Sequence, residues 1–243
     1  MHAVCTTRSG GVSVAPFDSL NLADHVGDLP ANVANNRSIL QQALVAKPVL
    51  LAQVHGTRVV RLTVDTADDI EADACYTTQR GIACSVMVAD CLPVLLTNRA
   101  GSFAAAAHAG WRGLAGMNGV GILEATVGCV QALGTAPSEI MAWLGPCIGA
   151  AQFQVGAEVR DVFASANPAA LRYFTPVGRG KWVADLRGLA RQRLRAMGIT
   201  QIAGNDGSAA WCTVANPLRF FSHRRDTAGL GNTGRMAACI WLG

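Results

Sequence analysis

The amino-acid sequence predicts one α+β domain, residues 1–243, in which helices pack outside mixed β-sheets. Of the 243 residues, 51% are hydrophobic and only 15% are charged, which is typical of a globular chain with a sizeable core. Several apolar segments of strand length run unbroken, and segments with helical spacing lie between them. Strands outnumber helices, and their connections have both hairpin and helix length, which favours a mixed fold.

The first half of the chain begins with a predicted loop and continues into a helix and five strands. Residues 6–36 are rich in Gly, Asn, Asp and Pro, and ordered loops of this length are often functional. A helix is expected near residues 32–45. Unbroken apolar runs then predict strands that are covered on both faces, at residues 49–54, 57–64, 82–89, 92–97 and 103–108.

Helical spacing dominates much of the second half. Apolar residues follow Gly113 at helical intervals, and Asp185 is a side-chain cap for a second such run. Glycine ends both segments. The predicted elements are a helix over 113–134, a strand over 140–144, a short helix over 156–165, a helix over 185–198, and two C-terminal strands joined by a polar loop over 218–243.

Charge, hydropathy and cysteine usage exclude several classes of protein. The net charge is only +4 and the basic residues are spread, which argues against a nucleic-acid partner. No apolar run reaches 18 residues and the start does not resemble a signal peptide, so we expect a cytoplasmic protein with no membrane contact. The eight cysteines form no C-x-x-C pair and should be reduced. A monomer or a small homo-oligomer is expected.

Three polar residues, His55, Cys91 and His108, occur where apolar strands meet turns. If these strands are neighbours in a sheet, their ends converge, and two imidazoles with one thiolate suit a zinc ion. Three protein ligands leave a fourth position open, as in catalytic zinc sites. Gln53 lies two residues before His55 and is expected to face the same pocket, with Asp90 supporting Cys91. The alternative is that each is an ordinary core residue.

Sequence blocks along the chain are similar to those of the YfiH-type family, whose members are described as laccase-domain or polyphenol oxidase proteins and as zinc-dependent purine nucleoside phosphorylases. The blocks include "TTRSGGVS", "QVHGTRV", "ADCLPVLL", "AAAAHAGWRGL" and "SHRRD", in order from about residue 4 to the C-terminus. The resemblance implies a four-layer α/β/β/α fold and zinc bound by His55, Cys91 and His108. In that arrangement the alanine run delivers His108 to the metal.

The family's activity is phosphorolysis of adenosine, inosine, guanosine and methylthioadenosine, with some adenosine deamination, so the resemblance implies purine nucleosides and phosphate as substrates. Phosphate requires cations, and an exposed charge or a structural ion pair is the alternative for each arginine. Together with Gln53, the candidate substrate-binding residues are Arg37, Arg112, His223, Arg224 and Arg225.

Other functions stay open on the sequence. Copper in place of zinc would favour polyphenol oxidation, although five histidines are too few for a multicopper centre. A hydrolase with Cys91 as nucleophile and His55 or His108 as base, editing cell-wall peptidoglycan precursors, is a second possibility. The third is a zinc-stabilised interaction module without catalysis. Metal content separates these alternatives, because a metal-bound thiolate is not a free nucleophile.

Overall fold

Two β-sheets lie face to face in the computed structural model, which describes residues 1–243. Their strands are β1 (His2–Cys5), β2 (Lys47–Val49), β3 (Val59–Arg61), β4 (Ala74–Thr77), β5 (Ile82–Val88), β6 (Leu92–Asn98), β7 (Ala104–Ala109), β8 (Ile140–Leu144), β12 (Gln201–Gly204) and β13 (Met236–Trp241), while β9 (Gln154–Val155), β10 (Phe174–Gly178) and β11 (Lys181–Ala184) form a small third sheet.

Both large sheets contain parallel and antiparallel pairs. The four-stranded sheet has the order β1-β13-β5-β2, in which only β2 and β5 are parallel. The six-stranded sheet has the order β12-β8-β6-β7-β4-β3, with antiparallel pairs at its centre and parallel pairs at both edges. The predicted mixed pairing is therefore confirmed.

Successive side chains of β5 point alternately into two layers of the core, one between the two sheets and one outside the four-stranded sheet. Cys84 and Val86 face the six-stranded sheet, whereas Ala83 and Met87 face the opposite layer, which includes the first helix. All seven residues of this strand are buried. Because both faces of the strand are covered, its sequence is an unbroken apolar run and not an alternating one.

Helices cover the outer faces of the two sheets. Leu40 of α1 (Pro30–Ala43) packs outside the four-stranded sheet. Val127 of α3 (Ile122–Gln131) and Leu189 of α5 (Leu186–Ala196) pack outside the six-stranded sheet. The four-layer α/β/β/α arrangement is thus confirmed. None of the helices combines the length and apolar character required to cross a membrane. They are α1 (Pro30–Ala43), α2 (Trp111–Ala115), α3 (Ile122–Gln131), α4 (Ala157–Ala166), α5 (Leu186–Ala196) and α6 (His223–Leu230).

The predicted helix over 113–134 is wrong in one respect, since it is two helices. Gly116 follows α2 with φ of 65°, a backbone conformation that favours glycine. A short turn then leads to α3, whose first residues are capped by Glu124 through the backbone N–H of Gly121. The cap predicted at Asp185 is confirmed, because its carboxylate accepts the N–H of Gly188 at 2.8 Å.

Two predicted strand regions are also corrected. The strand expected at 49–54 is wrong beyond Val49, the last residue of β2, and the strand expected at 57–64 is shortened to β3. Between them, the N–H groups of residues 54–56 bond to a carboxylate instead of a neighbouring strand. In the C-terminal segment only β13 is a strand. Ser222 accepts the N–H of Arg225 at 3.2 Å and starts α6 where a polar loop was predicted.

Candidate metal centre and surrounding cavity

The structure brings together the three residues predicted as metal ligands. The candidate donor atoms of His55, Cys91 and His108 all lie within 4.8 Å of one another, and Cys91 Sγ lies 3.8 Å from His55 Nε2. His108 is buried near the end of β7, Cys91 immediately precedes β6, and His55 is an exposed loop residue. No other group of three potential ligands occurs among residues 1–243.

Two of these ligands occupy points where the chain passes from one sheet to the other. His55 lies between β2 of the four-stranded sheet and β3 of the six-stranded sheet. Cys91 lies between β5 and β6, which likewise belong to different sheets. The candidate centre therefore sits at one end of the sandwich, where both crossings meet β7.

The donor set fits a tetrahedral metal ion. With metal–sulfur and metal–nitrogen bonds of ordinary length, sulfur and nitrogen ligands of zinc lie about 3.6 Å apart. The observed 3.8 Å between Cys91 and His55 is close to that value. His108 Nδ1 is 2.8 Å from Asp73 Oδ1, which leaves Nε2 as the atom available for a metal. The donors fit zinc, and two imidazoles with a thiolate also suit copper.

Asp73 orients two of the three ligands, and the sequence analysis missed it. This fully buried carboxylate accepts the N–H groups of His55 at 2.9 Å and Gly56 at 2.7 Å in addition to its contact with His108. Burial opposes ionisation, but the hydrogen bonds from His108 and Gly56 outweigh burial and lower the pKa of Asp73. An acidic residue directly before the apolar strand β4 was the available signal.

The glycines of "HAGWRG" permit the close packing of the centre. A Cβ atom at Gly110 would lie 2.9 Å from Cys91 Sγ and 2.9 Å from His55 Cδ2, which is closer than real Cβ contacts. A Cβ atom at Gly113 would lie 2.8 Å from the carbonyl oxygen of Gly56. The absence of side chains at these two positions therefore lets β7 and α2 approach the other ligand segments.

One candidate ligand and the residue before another have unusual backbone conformations. His55 has φ of 62° and Asp90 has φ of 88°, both in the left-handed region. The Asp90 carboxylate accepts the Thr213 hydroxyl at 2.5 Å and the backbone N–H of Arg224 at 2.6 Å. Asp90 was expected to support Cys91, and its carboxylate does so by fixing the backbone that adjoins Cys91.

Cys91 and His108 form a thiolate–imidazolium pair when no metal is bound. Burial opposes both charges, but the neighbouring imidazoles lower the pKa of Cys91 to about 6. The thiolate and Asp73 in turn raise the pKa of His108 to about 9. At neutral pH a metal ion must therefore displace a proton from His108.

Metal affinity should decrease as the pH falls. Below about 9 the proton on His108 must be displaced, which weakens binding about tenfold per pH unit. Below about 6, protonation of Cys91 adds a further factor of about ten per unit. Competition with a chelator of known protonation behaviour, between pH 5 and pH 8, measures this slope. An affinity that stays constant between pH 6 and pH 8 would contradict the assigned pair.

A cavity of about 360 Å³ opens over the candidate centre, which is within the size range of small-molecule sites. All three candidate ligands line it, as do four of the predicted substrate-binding residues, namely Gln53, Arg112, His223 and Arg224. Four further residues of the wall were not predicted from the sequence, namely the polar residues His25 and Arg235 and the aromatic residues Trp111 and Phe153.

Gln53 reaches the cavity wall for a different reason from the one predicted. It does not belong to a strand, and its side-chain amide exchanges two hydrogen bonds with the backbone of Met87, at 2.8 and 2.6 Å. Its amide is therefore committed to β5, and Gln53 contributes to the shape of the cavity.

Two of the predicted phosphate-binding arginines lie elsewhere. Arg37 pairs with Asp24 at 3.0 Å and donates to the Leu22 carbonyl, outside the cavity wall. Arg225 pairs with Asp226 at 2.6 Å and donates to carbonyl groups of the segment before α6. Both guanidinium groups therefore already have protein partners, and neither residue lines the cavity.

Fold and site together define a four-layer α/β/β/α protein with a candidate three-ligand metal centre at one end of its central strands. The chain belongs to the family described as multi-copper polyphenol oxidoreductase laccase, whose model matches residues 2–243.

Relatives and solved structures cover nearly the whole chain. It is 49% identical over 242 residues to the Escherichia coli protein named purine nucleoside phosphorylase YfiH, covering 99% of this chain and 93% of that protein. It is 46% identical to a Pseudomonas aeruginosa protein also named purine nucleoside phosphorylase, covering 100% and 93%. The crystal structure of Neisseria meningitidis NMB0706, of family DUF152, has a TM-score of 0.89 at 44% identity, covering 99% and 93%.

Proposed function

We propose that this chain is a zinc-dependent purine nucleoside phosphorylase acting on adenosine, inosine, guanosine and methylthioadenosine, with adenosine deamination as a side activity. The observation that carries the proposal is the sharing of one cavity by a candidate three-ligand metal centre and three arginines, Arg112, Arg224 and Arg235. A cationic cavity suits an oxyanion substrate. The names of relatives with 40–49% identity support the same activity.

Phosphorolysis breaks the bond between ribose C1′ and purine N9 and forms a bond between C1′ and a phosphate oxygen. The electron pair of the broken bond goes to the purine, which leaves with a proton. The protein must therefore bind a phosphate anion beside the ribose and hold the purine in place. The cavity arginines supply the positive charge that binds the phosphate.

Aromatic and apolar residues of the cavity wall can hold the purine. Trp111, Phe153, Ile148 and Leu186 line the cavity and offer flat or apolar surfaces to a purine. His223 is exposed at the wall and its ring has no protein hydrogen bond, which leaves it free for the leaving base.

His55, Cys91 and His108 would hold the zinc ion. When bound there, zinc supplies Lewis-acid chemistry, which hydrolytic removal of the adenine amino group requires. Product analysis on adenosine and inosine, with and without phosphate, on protein of measured metal content tests the proposal. Absence of ribose 1-phosphate from zinc-loaded protein would contradict it.

Arg112→Ala should weaken phosphate use more than nucleoside use. Arg112 is exposed at the cavity and stacks on Trp111 with 4.5 Å between the guanidinium carbon and the ring centre, with no ion pair to the protein. Loss of this exposed charge-assisted contact should raise the KM for phosphate about tenfold. Steady-state kinetics of inosine phosphorolysis at varied phosphate measures it.

Adenosine deamination on the same preparation is the control for Arg112→Ala, because water and not phosphate is the second substrate. Zinc content should stay unchanged. Equal loss of phosphorolysis and deamination would instead show that Arg112 shapes the cavity wall.

Two other functions each have one supporting observation. Two imidazoles and a thiolate also suit copper, and the family description names an oxidoreductase, which favours polyphenol oxidation. The low pKa of Cys91, about 6, favours a thiol hydrolase that edits peptidoglycan precursors. Metal analysis separates them: copper with phenol oxidation supports the first, and an active metal-free protein supports the second.

A further inference from the structure

Arg235 lies in the cavity wall without a carboxylate partner. It is half-buried immediately before β13, and none of the ion pairs of residues 1–243 includes it. Its Nη1 donates to the carbonyl groups of Thr233 at 2.9 Å and Gly234 at 3.2 Å. The Nε and Nη2 atoms have no protein acceptor, so one edge of the guanidinium is uncommitted.

Burial makes this unpaired charge costly. Burial is the largest influence on the guanidinium and lowers the pKa of Arg235, against the opposing effect of Cys91 and Asp90. Neither of these groups is free to neutralise it. Cys91 is a candidate metal ligand, and the Asp90 carboxylate already accepts two hydrogen bonds. The free edge of the guanidinium faces the cavity, where an anion would compensate the charge better than water does.

The backbone that carries Arg235 is held rigidly before any ligand arrives. A Cβ atom at Gly234 would lie 2.7 Å from the Phe221 ring, so the chain packs closely there. The Arg235 N–H donates to Asn21 Oδ1 at 2.9 Å, and the Thr233 hydroxyl donates to Asp226 at 2.7 Å. Together with the two hydrogen bonds of Nη1, this packing limits the freedom that the guanidinium loses on binding, which favours a specific contact.

The other two cavity arginines differ from Arg235 in exposure. Arg112 and Arg224 are both exposed, and Arg224 donates to the carbonyl groups of Gln152 and Gln154 at 3.2 Å. Exposed charges are screened by water and salt. These two are suited to attracting an anion, whereas Arg235 is suited to holding it.

We propose that Arg235 is the principal phosphate-binding residue of the cavity, with Nε and Nη2 donating to two oxygen atoms of inorganic phosphate. The planar guanidinium matches a phosphate group with two parallel hydrogen bonds. The choice of phosphate as the anion rests on the proposed function, but the binding site itself can be tested without turnover.

Equilibrium binding of inorganic phosphate to the metal-loaded protein, measured by calorimetry, tests the assignment. Arg235→Gln should weaken phosphate binding about a hundredfold or more, with unchanged nucleoside affinity and metal content. Arg112→Gln is the matched control, because it removes the same charge from the exposed position, and should cost about tenfold. Arg235→Lys keeps the charge but not the planar group and should bind about tenfold more weakly than wild type.

Wild-type phosphate affinity in Arg235→Gln, or a larger loss in Arg112→Gln than in Arg235→Gln, would overturn the assignment. If Arg235→Gln does not fold, phosphate binding to Arg235→Lys is the test. Wild-type phosphate affinity in Arg235→Lys would then overturn the assignment. Phosphate binding that depends on Arg235, without formation of ribose 1-phosphate, would uphold this site and contradict the proposed function. Phosphorolysis that is undiminished in Arg235→Gln would uphold the proposed function and contradict this site.

Discussion

Cys91→Ala should remove most of the bound metal and leave the protein folded. The substitution removes the only thiolate among the three candidate ligands, and the remaining two imidazoles cannot fix an open tetrahedral site. Phosphorolysis, which we propose to be zinc-dependent, should fall by about two orders of magnitude or more, since a bound Lewis acid contributes several kcal/mol. Metal analysis, circular dichroism and phosphorolysis assays on one preparation measure the three quantities.

Cys147→Ala is the matched control for Cys91→Ala. Cys147 is also buried, but burial raises the pKa of its thiol, and it does not belong to the candidate ligand group. We expect this variant to lose some stability and keep its metal and its turnover. Full metal content in folded Cys91→Ala would refute the ligand assignment.

Replacement of Asp73 should affect both metal affinity and stability. Asp73 Oδ1 contacts His55 and His108, and Asp73 Oδ2 accepts the N–H of Gly56. In Asp73→Asn only one acceptor oxygen remains, so one of these two sets of partners loses its acceptor. Leaving a buried N–H unpaired costs about 1–3 kcal/mol, and loss of an outer hydrogen bond to a metal ligand weakens metal binding about 10- to 100-fold.

Chelator competition and denaturant unfolding of Asp73→Asn measure these two effects. Asp28→Asn is a suitable control, because Asp28 is another buried carboxylate that accepts hydrogen bonds but lies outside the cavity wall. The control should lose stability and retain metal affinity. Unchanged metal affinity in Asp73→Asn would show that the ligands are oriented by packing alone.

The central strands could be predicted from sequence because they are buried on both faces. Residues 82–88, 92–98 and 140–144 are strands within one residue of their predicted bounds. The edge strands β1 and β10 were missed because they are largely exposed and carry no continuous apolar run. The segment before α6 was misassigned, since Phe220 and Phe221 are buried by packing and not by strand pairing.

The convergence of His55, Cys91 and His108 was predictable because each follows an apolar run, although the run before His55 is mostly not a strand. The roles of Asp73 and Arg235 were not predictable. The position of Asp73 before an apolar strand is visible in the sequence, but its partners are not, because backbone N–H groups leave no pattern of residue types and His108 is distant along the chain. Arg235 differs from Arg37 and Arg225 only in its surroundings, since the latter two have carboxylate partners that become neighbours on folding.

Because two of the ligands lie where the chain crosses between the sheets, the distances among the ligand atoms depend on packing in the interior of the sandwich. Val86 and Ala106, which lie between the sheets, help set how far apart the sheets stand. A larger or smaller side chain there would alter the separation of the crossings and hence the distances among the ligand atoms. Selection on metal geometry would therefore extend into the core, and substitutions far from the cavity would alter activity as well as stability.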